Sequence, residues 1–129
     1  MNSNLQILVV EDEPSMQVLL KHVLGRAGYD ITVVHNGLDA KKILMERSFD
    51  LICSDVMMSG IDGIQLCTWA HQQDAVREVP FIILSSRAQN GERELGIEAG
   101  ADAYLTKPFD VQELVRTFEK LIANRTETH

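Results

Sequence analysis

Leu5-Gln6-Ile7-Leu8-Val9-Val10-Glu11-Asp12-Glu13-Pro14 is a nearly unbroken apolar run that ends on three carboxylates and a proline. A run of this length that does not alternate with polar residues is the mark of a strand covered on both faces, as in a parallel sheet. Directly after it, Met16, Leu19, Leu20, Val23 and Leu24 fall at the spacing of one helical face, with Pro14 at the start and Gly28 just past the end. Strand, acidic turn and amphipathic helix form a single unit, and the carboxylates sit at the carboxyl end of the strand.

The same alternation recurs outward along the chain. Apolar runs at 31–34, 51–53, 81–84 and 103–105 read as four further strands. The stretches 38–47 and 61–73 read as helices, and 90–99 as a short, loosely held one, because Leu95, Ile97 and Ala99 are its only apolar residues and it contains Gly91 and Gly96. A last helix opens on Asp110 and Glu113, an aspartate variant of the capping box, and carries Val111, Leu114, Val115, Phe118 and Ile122 on one face. Five strand–helix alternations with right-handed crossovers predict an α/β domain, a doubly wound five-stranded parallel sheet of (βα)5 type with helices on both faces. The domain is expected over 5–122, and the polar stretch 123–129 as a frayed tail.

Composition agrees with one folded domain: 129 residues, 45% hydrophobic and 24% charged. Twelve basic against 19 acidic residues give a net charge of −7, which repels a polyanion and argues against direct nucleic-acid binding. No apolar run approaches a membrane span and the start lacks the features of a secretory signal, so the expected location is cytoplasmic. In that setting the Asn124-Arg125-Thr126 triplet is not a glycosylation site. Cys53 and Cys67 have neither a Cys-x-x-Cys spacing nor a histidine pair beside them and read as core thiols.

Ligands of open α/β sheets bind beyond the carboxyl ends of the strands, so the residues there are the ones to read for chemistry. They are Glu11 and Asp12 after the first strand, Asp55 after the third, Ser85 and Ser86 after the fourth, and Thr106 and Lys107 after the fifth. Carboxylates brought this close repel one another unless a cation joins them, and hard oxygen donors suit magnesium. An acidic triplet by itself is more often a solvated loop; its place after a central strand, opposite Asp55, reverses that and favours the metal. A carboxylate beside bound magnesium can attack a phosphoryl group, since the metal screens the repulsion between the two anions. The Ser85 hydroxyl and the Lys107 ammonium could then hold phosphoryl oxygens. A cis Lys107-Pro108 bond would fix the direction of that ammonium.

Taken together, Val9-Val10-Glu11-Asp12, Asp55, Ser85 and Lys107-Pro108-Phe109 resemble the response regulator receiver domain over about 5–122. The resemblance implies the flavodoxin-like strand order 2-1-3-4-5. It also implies that Asp55 takes a phosphoryl group from a histidine kinase or histidine phosphotransfer protein in a two-component system. Magnesium would be held directly by Asp12, Asp55 and the Met57 carbonyl, and by Glu11 largely through water. Ser85 and Tyr104 would form a switch, although an aromatic in a last strand also packs for its own sake. Phosphorylation would draw Ser85 and Lys107 toward Asp55 and alter the face formed by the fourth helix, last strand and last helix. An output protein or domain, or a second copy of the chain, is expected to read that face.

Ser59 stands where the family often has proline. Met57 and Arg87 flank the expected site, and an apolar Met57 offers a hydrolytic water no hydrogen bond, which favours a longer-lived phosphoryl state. Among other classes, an aspartate-nucleophile phosphohydrolase is disfavoured because Asp55-Val56-Met57 lacks the second aspartate, and a flavin or nucleotide binder because Glu-Asp-Glu-Pro offers no glycines to a phosphate. The chain is expected to be a signalling phosphoacceptor rather than a turnover enzyme. The remaining alternative is a docking or dimerisation domain that works without phosphorylation and has no need of this residue set. No role falls to His22, His35, His71 or His129.

Overall fold

Strands that are apolar on both sides need cover on both faces, and the computed structural model supplies it. In chain order the elements are β1 (Gln6–Val10), α1 (Pro14–Arg26), β2 (Asp30–Val34), α2 (Gly37–Glu46), β3 (Leu51–Asp55), α3 (Gly63–His71), β4 (Phe81–Ser85), α4 (Glu92–Glu98), β5 (Ala103–Thr106) and α5 (Val111–Glu127). The structure describes residues 5–56, 60–85 and 91–127, with side chains to 124. All four strand pairings are parallel, in the order β2-β1-β3-β4-β5.

Alternation along each strand divides the core in two. Ile7 and Val9 of β1, Leu51 and Cys53 of β3, and Ile82 and Leu84 of β4 face Leu20 and Leu24 of α1 and Leu114 and Phe118 of α5. Leu8, Val10, Ile52, Phe81 and Ile83 face the other way, onto Ala40 and Leu44 of α2 and Leu66, Cys67 and Ala70 of α3. Cys53 and Cys67 are therefore core thiols, and burial pushes each thiol pKa up to about 12.

Three local results refine the sequence reading. The helix expected over 61–73 is shorter, because Asp62 starts it: its side chain accepts from the Gln65 N–H while Gln65 reaches back to the Asp62 N–H, a complete capping box. In α5 the Asp110 carboxylate accepts from the Gln112 N–H at 2.8 Å. The helix then runs on to Glu127, past Ile122, so the backbone of the stretch read as a frayed tail is helical to that point. Once Leu114 and Phe118 anchor one face, the polar residues that follow need no apolar partner to continue the helix. The fourth helix is short, as expected: of its residues only Gly96 is buried.

No helix among the described residues is long and apolar enough to cross a membrane.

Candidate functional site

Sheet register sets the layout at the carboxyl edge. Val10 is level with Ser54, so Glu11 and Asp55, the next residue on each strand, arrive side by side. Asp55 is level with Leu84 and Ser85 with Thr106, which puts Lys107 one step past the edge of β5. Backbone bonds hold these ends: the Glu11 N–H donates to the Val34 carbonyl at 3.1 Å, Val56 to Leu84 at 3.0 Å and Lys107 to Ser85 at 2.6 Å. Gln17 of α1 donates from its amide to the Glu11 carbonyl at 2.5 Å and lies 2.7 Å from His35 Nδ1, so His35 stands one residue away from the site.

Gly63 brings the start of α3 against Asp55. Its N–H donates to the Val56 carbonyl at 3.0 Å, and a Cβ at this position would lie 2.3 Å from the Asp55 carbonyl oxygen. No side chain fits between these two pieces of backbone, so the approach requires glycine.

One oxygen from each of Glu11, Asp12 and Asp55 lies within 4.8 Å of the others, with Glu11 and Asp55 buried and Asp12 exposed. Lys107 Nζ sits 3.1 Å from Glu11 Oε1 and 3.4 Å from Asp55 Oδ1. The second contact is an ion pair too long to be a good hydrogen bond, and Asp55 Oδ1 is buried with no hydrogen-bond partner among the described residues. Burial raises the pKa values of both Glu11 and Asp55, with Lys107 acting against the rise in each. Burial works to lower that of Lys107, but the Asp55 and Glu11 carboxylates outweigh it and the ammonium is held more tightly than usual. Three carboxylates against one ammonium, one of them with an orphaned buried oxygen, form a donor set of hard oxygens that fits a divalent cation.

Ser85 and Tyr104 also come together, hydrogen-bonded side chain to side chain and joined as well through a residue the sequence reading did not single out. Ser85 Oγ donates to Glu92 Oε1 at 2.5 Å, and the Tyr104 hydroxyl donates to the same oxygen. Burial and the bond to Glu92 raise the Tyr104 pKa. An acidic residue in the first turn of a helix is ordinarily read as favouring the helix dipole, so nothing local pointed to this contact. The Lys107-Pro108 peptide is cis. Met57, Ser59, Ser86 and Arg87 lie outside the described residues.

Fold and site together define a flavodoxin-like α/β domain with an acidic, lysine-paired pocket at the carboxyl edge of its sheet. The response regulator receiver domain family matches residues 7–119. The chain is 40% identical over 124 residues to the alkaline phosphatase synthesis transcriptional regulatory protein PhoP of Bacillus subtilis (strain 168), covering 96% of this chain and 50% of that protein. It is 36% identical over 117 residues to the phosphate regulon transcriptional regulatory protein PhoB of Rhizobium meliloti (strain 1021), covering 91% and 52%. The chain thus spans about half the length of these curated relatives.

Among solved structures, the signal receiver domain of a signal transduction histidine kinase from Syntrophus aciditrophicus superposes with a TM-score of 0.88 at 36% identity, covering 93% of this chain and 91% of that one. The receiver domain of a sensor histidine kinase from Pseudomonas aeruginosa PAO1 gives 0.87 at 33%, covering 94% and 99%, and carries a magnesium ion in its active-site cleft. The chain belongs to the response regulator receiver domain family of two-component signalling.

Proposed function

We propose that Asp55 is the phosphoacceptor of this receiver domain, with a histidine kinase or histidine phosphotransfer protein as donor. The observation that carries the reading is the buried Asp55 Oδ1, left without a hydrogen-bond partner among the described residues at the carboxyl end of β3, beside two further carboxylates and an ammonium. In the transfer an Asp55 carboxylate oxygen bonds to phosphorus as the bond from phosphorus to the donor's imidazole nitrogen breaks. The electron pair of that bond returns to the ring, and no oxidant or reductant is needed.

Glu11, Asp12 and Asp55 would hold Mg2+, with the Met57 carbonyl as a further ligand on the family pattern. When bound, Mg2+ supplies the positive charge that lets two anionic groups approach. Lys107 keeps its proton in this pocket, so it is available to pair with a phosphoryl oxygen as well as with Glu11. The Ser85 hydroxyl offers the second contact, and Tyr104 follows Ser85. The domain acts as a cytoplasmic signalling phosphoacceptor that forms and loses its own acyl phosphate, not as an enzyme turning over a free substrate. Its output, through a partner protein or domain or through a second copy, is read on the face made by α4, β5 and α5.

Intact mass after incubation with a small-molecule phosphodonor and magnesium tests the reading. A phosphoryl adduct is expected on the unmutated chain with magnesium, and none on Asp55→Asn or in chelator. A folded, magnesium-binding chain that takes no phosphoryl group from either a small-molecule donor or a phosphorylated histidine phosphotransfer protein would favour the phosphorylation-independent docking domain instead.

A further inference from the structure

Helix α4 has little apolar attachment to the domain. Gly96 is its only buried residue, while Leu95 and Ile97 are more than half exposed. Through Gly96 it packs on Ile83 of β4 and on Tyr104 of β5. Gly96 lies against the ring so closely that a Cβ there would be 3.2 Å from Tyr104 Cδ2, and the Arg93 guanidinium sits 5.9 Å over the ring centroid. Glu92, at the first position of α4, takes the Tyr104 hydroxyl and the Ser85 hydroxyl on one carboxylate oxygen. The helix is therefore pinned to β4 and β5 at one small apolar contact, Gly96 against Ile83 and the Tyr104 ring, and by the polar contacts of Glu92.

A serine hydroxyl has a single proton to donate. While Ser85 gives it to Glu92, it cannot give it to an oxygen beside Asp55. From this exclusivity we infer that Glu92 is a positioning residue that competes with the phosphoryl group for Ser85 and, on losing that competition, releases the start of α4. The inference rests on the phosphoacceptor reading above and deepens it, because it identifies which bond links the state of Asp55 to the helix. Substitution of Glu92 should make the phosphorylated arrangement easier to reach and leave α4 loosened in advance.

Beryllofluoride, a stable stand-in for a phosphoryl group, provides the probe, applied with magnesium to the 129-residue chain and to Glu92→Ala and Glu92→Gln. Two quantities are measured: beryllofluoride affinity, and hydrogen exchange of the α4 amides, whose bonds include Leu95 N–H to the Gly91 carbonyl and Ala99 N–H to the Leu95 carbonyl. Loss of one competing charge-assisted bond predicts about tenfold tighter binding to Glu92→Ala. In the unmutated chain the probe should weaken α4 protection, whereas in Glu92→Ala protection should already be weak and no longer respond. Glu92→Gln keeps a carbonyl acceptor for both hydroxyls and should stay within about threefold of the unmutated chain.

Unchanged or weaker affinity in Glu92→Ala, or a full α4 response in that variant, would overturn the inference. So would Glu92→Gln behaving like Glu92→Ala, because loss of charge alone would then account for the effect. Failure of the unmutated chain to bind the probe would instead remove the phosphoacceptor reading on which the inference stands.

Discussion

Replacing Asp55 with asparagine should stabilise the metal-free protein while greatly weakening its response to magnesium. The buried Asp55 Oδ1 has no hydrogen-bond partner among the described residues, and such a group costs about 1–3 kcal/mol. The asparagine side chain would carry no charge to repel Glu11 and Asp12, and its amide could donate to them. What is lost is the 3.4 Å ion pair with Lys107, but Lys107 keeps Glu11 at 3.1 Å and is not left alone. The balance is a gain of about 1–2 kcal/mol, since an ion pair of this length offsets only part of the burial penalty. Unfolding entropy of about 2.1 cal/mol/K per residue makes that about 4–7 °C in Tm for a chain of 129 residues. Magnesium at about 100 times its Kd would add about 2.7 kcal/mol, or about 10 °C, to the unmutated chain and much less to a variant lacking one ligand. Thermal unfolding in chelator and in saturating magnesium should therefore show the two Tm values crossing over. A variant that melts below the unmutated chain in chelator, or that gains as much from magnesium, would refute the argument.

Other consequences of the geometry can be checked as directly. Gly63→Ala forces a Cβ to within 2.3 Å of the Asp55 carbonyl oxygen and should cost about 3 kcal/mol in denaturant unfolding, with phosphoryl uptake reduced because the strand end must move. In chelator, stability should fall as pH rises from about pH 4, since Glu11 and Asp55 keep their protons longer in the folded than in the unfolded chain. Urea titrations across that window would show it, and Asp55→Asn should flatten the slope; a stability rising through the same window would contradict the assignment. The raised pKa of Lys107 leaves its stabilising contribution intact until alkaline pH. Cys53, fully buried with its thiol pushed up to about 12, should resist alkylation until the domain unfolds.

Most of the fold was written in the apolar runs. They are continuous because both faces of the sheet are covered, and the carboxyl-edge residues could be named because each run ends abruptly on a polar group. β3, β4 and β5 proved a residue or two longer than the runs, since Ser54, Asp55, Ser85 and Thr106 still pair though they are polar. The Asp62–Gln65 box was present in the sequence and would have placed the start of α3, whereas apolar spacing alone extended that helix in both directions. Glu92 could not have been found this way. Its partners lie on two different strands, and an acidic first turn is explained locally without them. Gly63 likewise gave no sign of its role, because a close approach between backbones belongs to the folded arrangement and not to any local pattern.

Lys107 is 96 positions from Glu11 along the chain, and this separation bears on how the domain is made. During synthesis β1 and β3 emerge with Glu11, Asp12 and Asp55 long before the ammonium that pairs with them. A nascent chain exposed as far as β4 must bring its acidic strand ends together without that counter-charge, so their mutual repulsion opposes docking of β1 on β3 until β5 leaves the ribosome. Closure of the sheet by its last strand therefore completes the pocket electrostatically as well as topologically, and a chain truncated before β5 would present an acidic edge that only an external cation could quiet.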